Sequence, residues 1–159
     1  MEARKHGAVT RKISTKGRYA LRMLLDLAQN QGEGYVTLKD IAARQEISKK
    51  YLEQIVPLMN GHELLVTNRG HQGGYRLARR PEETTVGEIL RAVEGSLKPV
   101  ACMENTPNRC ARCTFCMTLP VWTELDRIME SYLDAITLQN VLDGDVSARH
   151  TGMTEQALC

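Results

Sequence analysis

Four cysteines fall within a stretch of fifteen residues: Cys102, Cys110, Cys113 and Cys116, with the spacing C-x7-C-x2-C-x2-C. Thiolates are soft ligands suited to zinc or to iron–sulfur clusters. Four of them in one short loop can converge on a single centre with little help from the rest of the fold. The C-x2-C-x2-C run is like the cluster-binding run of bacterial ferredoxins, although no proline follows it here. Zinc more often takes two separated pairs of ligands. The spacing therefore leans toward an iron–sulfur cluster and leaves zinc as the alternative. Reduced thiols, or a reversible disulfide in a thiol switch, are the plainer reading. Arg109 and Arg112 could lower the thiol pKa values and would assist either chemistry, while Cys159, at the end of a polar tail, reads as incidental.

The second set of chemically telling side chains is cationic and polar: Ser48, Lys49, Lys50, Glu53 and Gln54, followed by Arg69 and Arg76. Their use depends on the elements that carry them. From Lys16 to Asn30, Leu21, Leu24, Leu25 and Ala28 recur at helical spacing, and Gln-Gly-Glu-Gly closes the helix. Thr37 is placed to cap a second helix with Leu38, Ile41 and Ala42 inward. Ser48 is placed to cap a third from Lys49 toward Asn60, with Leu52, Ile55, Val56 and Met59 on one face. Pro57 removes one hydrogen bond and should distort the last turn of a helix that otherwise survives it. Two strand-like stretches, Leu64–Arg69 and Tyr75–Leu77, flank the turn Gly70-His71-Gln72-Gly73-Gly74.

Three helices and a basic hairpin predict a winged helix-turn-helix. Such a unit would place the helix after Ser48 in the DNA major groove. Lys49 and Lys50 would attract phosphate through counterion release, and Gln54 could read base edges. Arg69, beside flexible glycines, could enter a narrow minor groove. The bland alternative is that these residues only solvate exposed faces.

Charge is divided along the chain. Residues 1–80 hold 15 Lys/Arg and 7 Asp/Glu, a net of +8, whereas residues 81–159 hold 6 and 12, a net of −6. A basic half joined to an acidic half suits a polyanion-binding unit with a second unit of different purpose. No apolar run is long enough to cross a bilayer, and the charged N-terminus lacks the apolar core of a signal peptide, so the expected location is the cytoplasm. No phosphate loop, paired acid–base carboxylates or nucleophile with an oriented base is present in the sequence, which predicts neither an enzyme nor a small-molecule substrate.

Thr85-Val86-Gly87-Glu88 is a capping-box pattern opening a helix that ends near Gly95. The cysteine segment, Lys98 to Met117, loses periodicity. A long helix is then predicted from Pro120 to about Leu142, with Val121, Leu125, Ile128, Tyr132 and Ile136 as a narrow apolar stripe, either core or dimer seam. The expected class is mainly α with a small β wing, and the long C-terminal helix serves dimerisation. The expected units are a basic, disordered extension over residues 1–11 and a DNA-binding domain over 12–80. A sensor-loop and dimerisation region over 81–142 and a disordered tail over 143–159 complete them.

Three stretches carry a resemblance: Ile13-Ser14-Thr15-Lys16-Gly17-Arg18-Tyr19-Ala20, Ile47-Ser48-Lys49-Lys50-Tyr51-Leu52-Glu53-Gln54, and Arg69-Gly70 with Gly73-Gly74-Tyr75. Together they resemble the Rrf2 family of winged-helix repressors from about Lys12 to Leu142. The resemblance implies a homodimer with crossing long helices on a double-stranded operator, the Ser48 helix in the major groove and the Arg69 wing in the minor groove. It also implies a [2Fe–2S] or [4Fe–4S] cluster in the loop before the long helix. Counted from Trp122, Cys116 and Cys110 match two of the usual three cysteines, and Cys102 matches the third after a two-residue insertion. The histidine that completes the cluster in some members falls at Leu119, and the partner-chain acidic ligand of others falls at Arg18. Neither can ligate, and Cys113 is the candidate substitute.

Overall fold

The computed structural model describes residues 13–70 and 73–147. The expected N-terminal extension, the tail from residue 148 onward and the hairpin-tip residues His71 and Gln72 lie outside them. Six helices and two strands run in the order α1 (Thr15–Asn30), α2 (Leu38–Gln45), α3 (Lys49–Gly61), β1 (Leu65–Asn68), β2 (Gly74–Leu77), α4 (Val86–Glu94), α5 (Leu119–Ala135) and α6 (Leu138–Asp143). The antiparallel strands pair Leu65 with Leu77 and Asn68 with Gly74.

The apolar faces meet in one core. Met23, Leu24 and Leu27 of α1, Ile41 of α2, Leu52, Ile55 and Met59 of α3, Ile89 of α4 and Leu138 of α6 are fully buried. Each such side chain contributes roughly 1.5–3 kcal/mol of transfer free energy. Helix α4 packs against both α1 and α3, and so closes the three-helix unit. Its last residue, Glu94, also caps α1. One carboxylate oxygen accepts hydrogen bonds from the Ser14 N–H (2.8 Å), the Ser14 hydroxyl (2.7 Å) and the Gly17 N–H (3.0 Å). A Cβ at position 17 would sit 2.5 Å from that oxygen, so any larger residue there would displace the Glu94 carboxylate from its cap.

Three local expectations need correction. Ser48 occupies the cap position of α3, but its side chain makes no capping hydrogen bond. Its carbonyl instead accepts from the Tyr51 and Leu52 N–H groups. Helix α3 survives Pro57 and runs to Gly61, as expected, with the proline facing solvent while Val56 and Met59 hold the turn to the core. The long C-terminal helix is two helices. Its chain leaves the α conformation at Ile136, whose carbonyl accepts from the Val86 N–H (2.8 Å), while the Leu138 N–H donates to the Thr84 carbonyl (2.9 Å). These backbone bonds and burial of Ile136 draw the chain onto the Thr84–Val86 segment, and Thr137 caps α6 by accepting from the Asn140 N–H. The wing is also narrower than expected at its first strand: Leu64 lies outside β1 and Arg69 lies just past its end.

Candidate nucleic-acid interface and cysteine loop

The relation of α2 to α1 is set by a buried carboxylate. Asp26, 1% exposed, accepts two hydrogen bonds from the Arg44 guanidinium (3.0 and 2.6 Å) and one from the Gln45 amide (3.0 Å). Burial pushes the Asp26 carboxyl up, but the Arg44 and Gln45 hydrogen bonds and the Arg44 charge outweigh it and hold the carboxyl below its usual value. The turn into α3 then passes through Glu46 in the left-handed region (φ 53°) and buried Ile47. With its inner face packed, α3 presents Ser48, Lys49, Lys50, Glu53 and Gln54 to solvent.

Between α3 and the wing lies an open groove. Lys49, Glu53 and Asn60 line it from the helix, and Thr67, Asn68 and Arg69 from the wing. Thus Lys49, Glu53 and Arg69, three of the residues singled out from sequence, come together around one channel. Lys49 and Glu53 also form an exposed ion pair at 3.3 Å across one helical turn. Ser48, Lys50 and Gln54 lie on the same helix, outside the groove lining. Arg76 is placed differently, over the Tyr35 ring at 5.3 Å, where it braces the loop before α2. Asn60, Thr67 and Asn68 were not anticipated; isolated small polar residues carry no periodic or charge signal.

The wing has a third edge. Val36 bridges Tyr75 through reciprocal backbone hydrogen bonds of 2.9 and 2.8 Å, and the Gln31 side-chain carbonyl accepts from the Leu77 N–H at 2.7 Å. Gly74 permits this contact, since a Cβ there would lie 2.6 Å from the Val36 carbonyl oxygen.

The cysteine loop joins α4 to α5 through short 3-10 turns at Ala101–Met103 and Cys113–Phe115. Cys102, Cys110 and Cys116 are half-buried free thiols, and Cys113 is held in a disulfide. Hydrogen bonds from the Thr118 hydroxyl, 3.4 Å from the sulfur, and from the Thr118 backbone hold the Cys116 thiol below its usual range. The Leu119 N–H and the Arg112 charge act in the same direction. The donor types suit a thiolate-ligated centre. Among the described residues, however, no three His, Cys, Asp or Glu side chains are gathered as a metal site. Leu119 is buried against the protein and Arg18 is exposed.

The base of this loop is anchored to α5. The Lys98 ammonium lies 2.5 Å from Asp126, which is 4% exposed, and 3.4 Å from Glu130. Burial pushes the Lys98 pKa down, but the two carboxylates overcome that and raise it. Beyond the anchor, α5 turns an apolar stripe outward: Val121, Leu125, Ile128 and Tyr132 are all exposed, Val121 at 60%. No helix among the described residues is long and apolar enough to cross a membrane.

Comparison with known proteins places these features in a family context. A family model described as "Rrf2: Iron-dependent Transcriptional regulator" matches residues 13–144. The chain is 38% identical over 131 residues to "Protein rrf2" of Nitratidesulfovibrio vulgaris strain Hildenborough, covering 82% of this chain and 87% of that one. Among solved structures it is similar to T. potens IscR, with 40% identity, a TM-score of 0.67 and coverage of 92% and 97% of the two chains. It is also similar to CymR, "the Global Cysteine Regulator of B. subtilis", with 34% identity, a TM-score of 0.69 and coverage of 84% and 97%.

Proposed function

The chain belongs to the Rrf2 family of transcriptional regulators, and from that premise we propose that it is a dimeric operator-binding repressor controlled by an iron–sulfur cluster in its cysteine loop. The observation that carries the DNA-binding half of this reading is the groove where Lys49, Glu53 and Arg69 meet. A duplex whose major groove receives α3 passes its backbone along that channel, between the helix and the wing. Lys50 and Gln54, exposed on the same helix, are the remaining candidates for phosphate and base contacts. Residues 12–80 form the DNA-binding unit and residues 81–142 the sensing and dimerising unit, with α5 as the seam between protomers.

Cys102, Cys110 and Cys116, the free thiols, are the residues that would hold the cluster, and Cys113, once its disulfide is reduced, would replace the ligand that Leu119 cannot provide. Bound there, the cluster would supply one-electron redox chemistry and reactivity toward small oxidants. The chain's own residues transmit the result: the Lys98 contacts tie the loop to α5, and α5 fixes how far apart two copies of α3 stand. A coupling free energy of about 1–3 kcal/mol suffices for a useful response.

A second reading keeps the DNA-binding unit and replaces the cluster with zinc or a thiol switch. It is favoured by the ungathered thiols, by the thiolate-stabilising surroundings of Cys116 and by the likeness to a protein named as a cysteine regulator. A small iron–sulfur electron carrier would need neither the groove nor the wing, and family membership argues against it.

Two measurements test the proposal. Protein purified without oxygen is expected to be brown, with matching iron and sulfide, and Cys116→Ala to lose that colour while remaining a folded dimer. Colourless protein with stoichiometric zinc, or with no metal, would transfer the conclusion to the second reading. In a mobility-shift titration, Lys50→Ala is expected to weaken binding similarly on all sequences and to reduce the salt dependence by about one counterion. An unchanged slope would remove Lys50 from the phosphate contacts.

A further inference from the structure

We infer that Gln31 is a positioning residue for the DNA-reading wing, acting through the placement of Arg69. The inference rests on the proposed role of Arg69 at the groove. Among the described residues the wing contains two strands, and β1 occupies one side of β2. On the other side, Tyr75 exchanges both of its backbone hydrogen bonds with Val36. The next outward-facing donor is the N–H of Leu77, a buried residue. In a continuing third strand its acceptor would come from the position of Gly34, but Gly34 is turned back and donates its own N–H to the Gln31 carbonyl at 2.8 Å. The Gln31 side chain takes the missing place, with its carbonyl oxygen 2.7 Å from the Leu77 nitrogen.

Gln31 itself cannot drift. Its backbone N–H donates to the Leu27 carbonyl at 2.9 Å, which makes it the closing residue of α1. The wing is therefore referred to the core helix by one side chain. A buried N–H deprived of its acceptor must find another or reach water. Without Gln31, β2 keeps only the Val36 bridge on this side and can rotate about Tyr75. Arg69, beyond the far end of β1, would be carried out of register with α3 by that rotation.

The test is a double-mutant cycle on full-length protein with operator DNA, read by mobility shift. Gln31→Leu is expected to weaken specific binding by about fivefold, the scale of one lost hydrogen bond. The same substitution in an Arg69→Ala background is expected to change affinity little. Gln31→Glu, which retains an acceptor oxygen at the same reach, is expected to restore most of the loss. Gln31→Asn, one methylene shorter, replaces the leucine variant if that one does not fold. Equal losses in both backgrounds, or no loss in either, would overturn the assignment while leaving the wing's role intact. If Arg69→Ala alone leaves binding unchanged, the wing reading falls and the role of Gln31 falls with it.

Discussion

Replacing Arg44 with alanine is expected to destabilise the protein by about 3–5 kcal/mol, the cost of leaving a buried charge without its partner. Asp26 is almost wholly enclosed, and two of its three hydrogen bonds come from Arg44. Without them, burial dominates its ionisation and the carboxyl is raised instead of lowered. The two proteins should then respond oppositely to acid. In the native chain the folded carboxyl titrates below its ordinary value, so its contribution is complete above the unfolded pKa and is lost as pH falls through the folded pKa. In the variant, protonation relieves the buried charge, so stability is gained as pH falls through the raised value. Urea denaturation at several pH values should therefore show the gap between the two narrowing with acidification. A constant or widening gap would refute this account. Asp26→Ala should cost less, because Arg44 is 39% exposed and can turn its guanidinium to water. Arg44→Lys should rescue little, since an ammonium cannot reproduce the two-pronged contact.

The second large effect is expected on α5. Ile128→Asp places a carboxylate in the middle of the exposed stripe formed by Val121, Leu125, Ile128 and Tyr132. The spacing of these residues, four then three then four, is that of a seam between two helices. If the stripe is buried in a homodimer, the substitution should yield a folded monomer in sedimentation. Operator binding should then fall by about 10²–10⁴, because two half-sites are no longer held at a useful effective concentration. The melting temperature of the winged unit should change little, as Ile128 is 40% exposed and belongs to neither core cluster. A variant that stays dimeric with full affinity would move the interface elsewhere on the surface.

Sequence was informative wherever the determinant was local. Thr37 and the Thr85–Glu88 capping box mark helix starts through contacts three residues apart, and the inner faces of α1, α3 and α4 repeat at helical spacing. Lys49, Glu53 and Arg69 could be read because charge and glycine punctuation reveal a helix start and a hairpin. The determinants that escaped are non-local. The end of α5 is dictated by Thr84 and Val86, about fifty positions earlier, and the apolar repeat runs through Ile136 with no glycine or proline to interrupt it. Asp26 with Arg44, Glu94 with Ser14 and Lys98 with Asp126 join residues 18, 80 and 28 positions apart. Nothing in a lone carboxylate or lysine foretells such a partner. Gln31 reads only as part of a helix-ending stretch, because its effect lies in where an amide oxygen points. The cysteines show the same division: their number and spacing are plain in the sequence, whereas their separation and the disulfide at Cys113 are properties of the folded loop.

The interruption at Ile136–Thr137 has a mechanical consequence. Helix α5 has 17 residues and is about 25 Å long at about 1.5 Å per residue. Its far end is pinned by backbone hydrogen bonds on either side of that joint, and its near end begins at the cysteine loop. It is thus a lever with a fulcrum at Thr137. A tilt of only about 5° about that point moves Leu119 by about 2 Å, given the rise per residue above. Under the proposed function, a displacement of ångström size at Cys116 would become a rotation of the whole rod, and a small chemical change in the loop would be read out as a change of angle between two protomers.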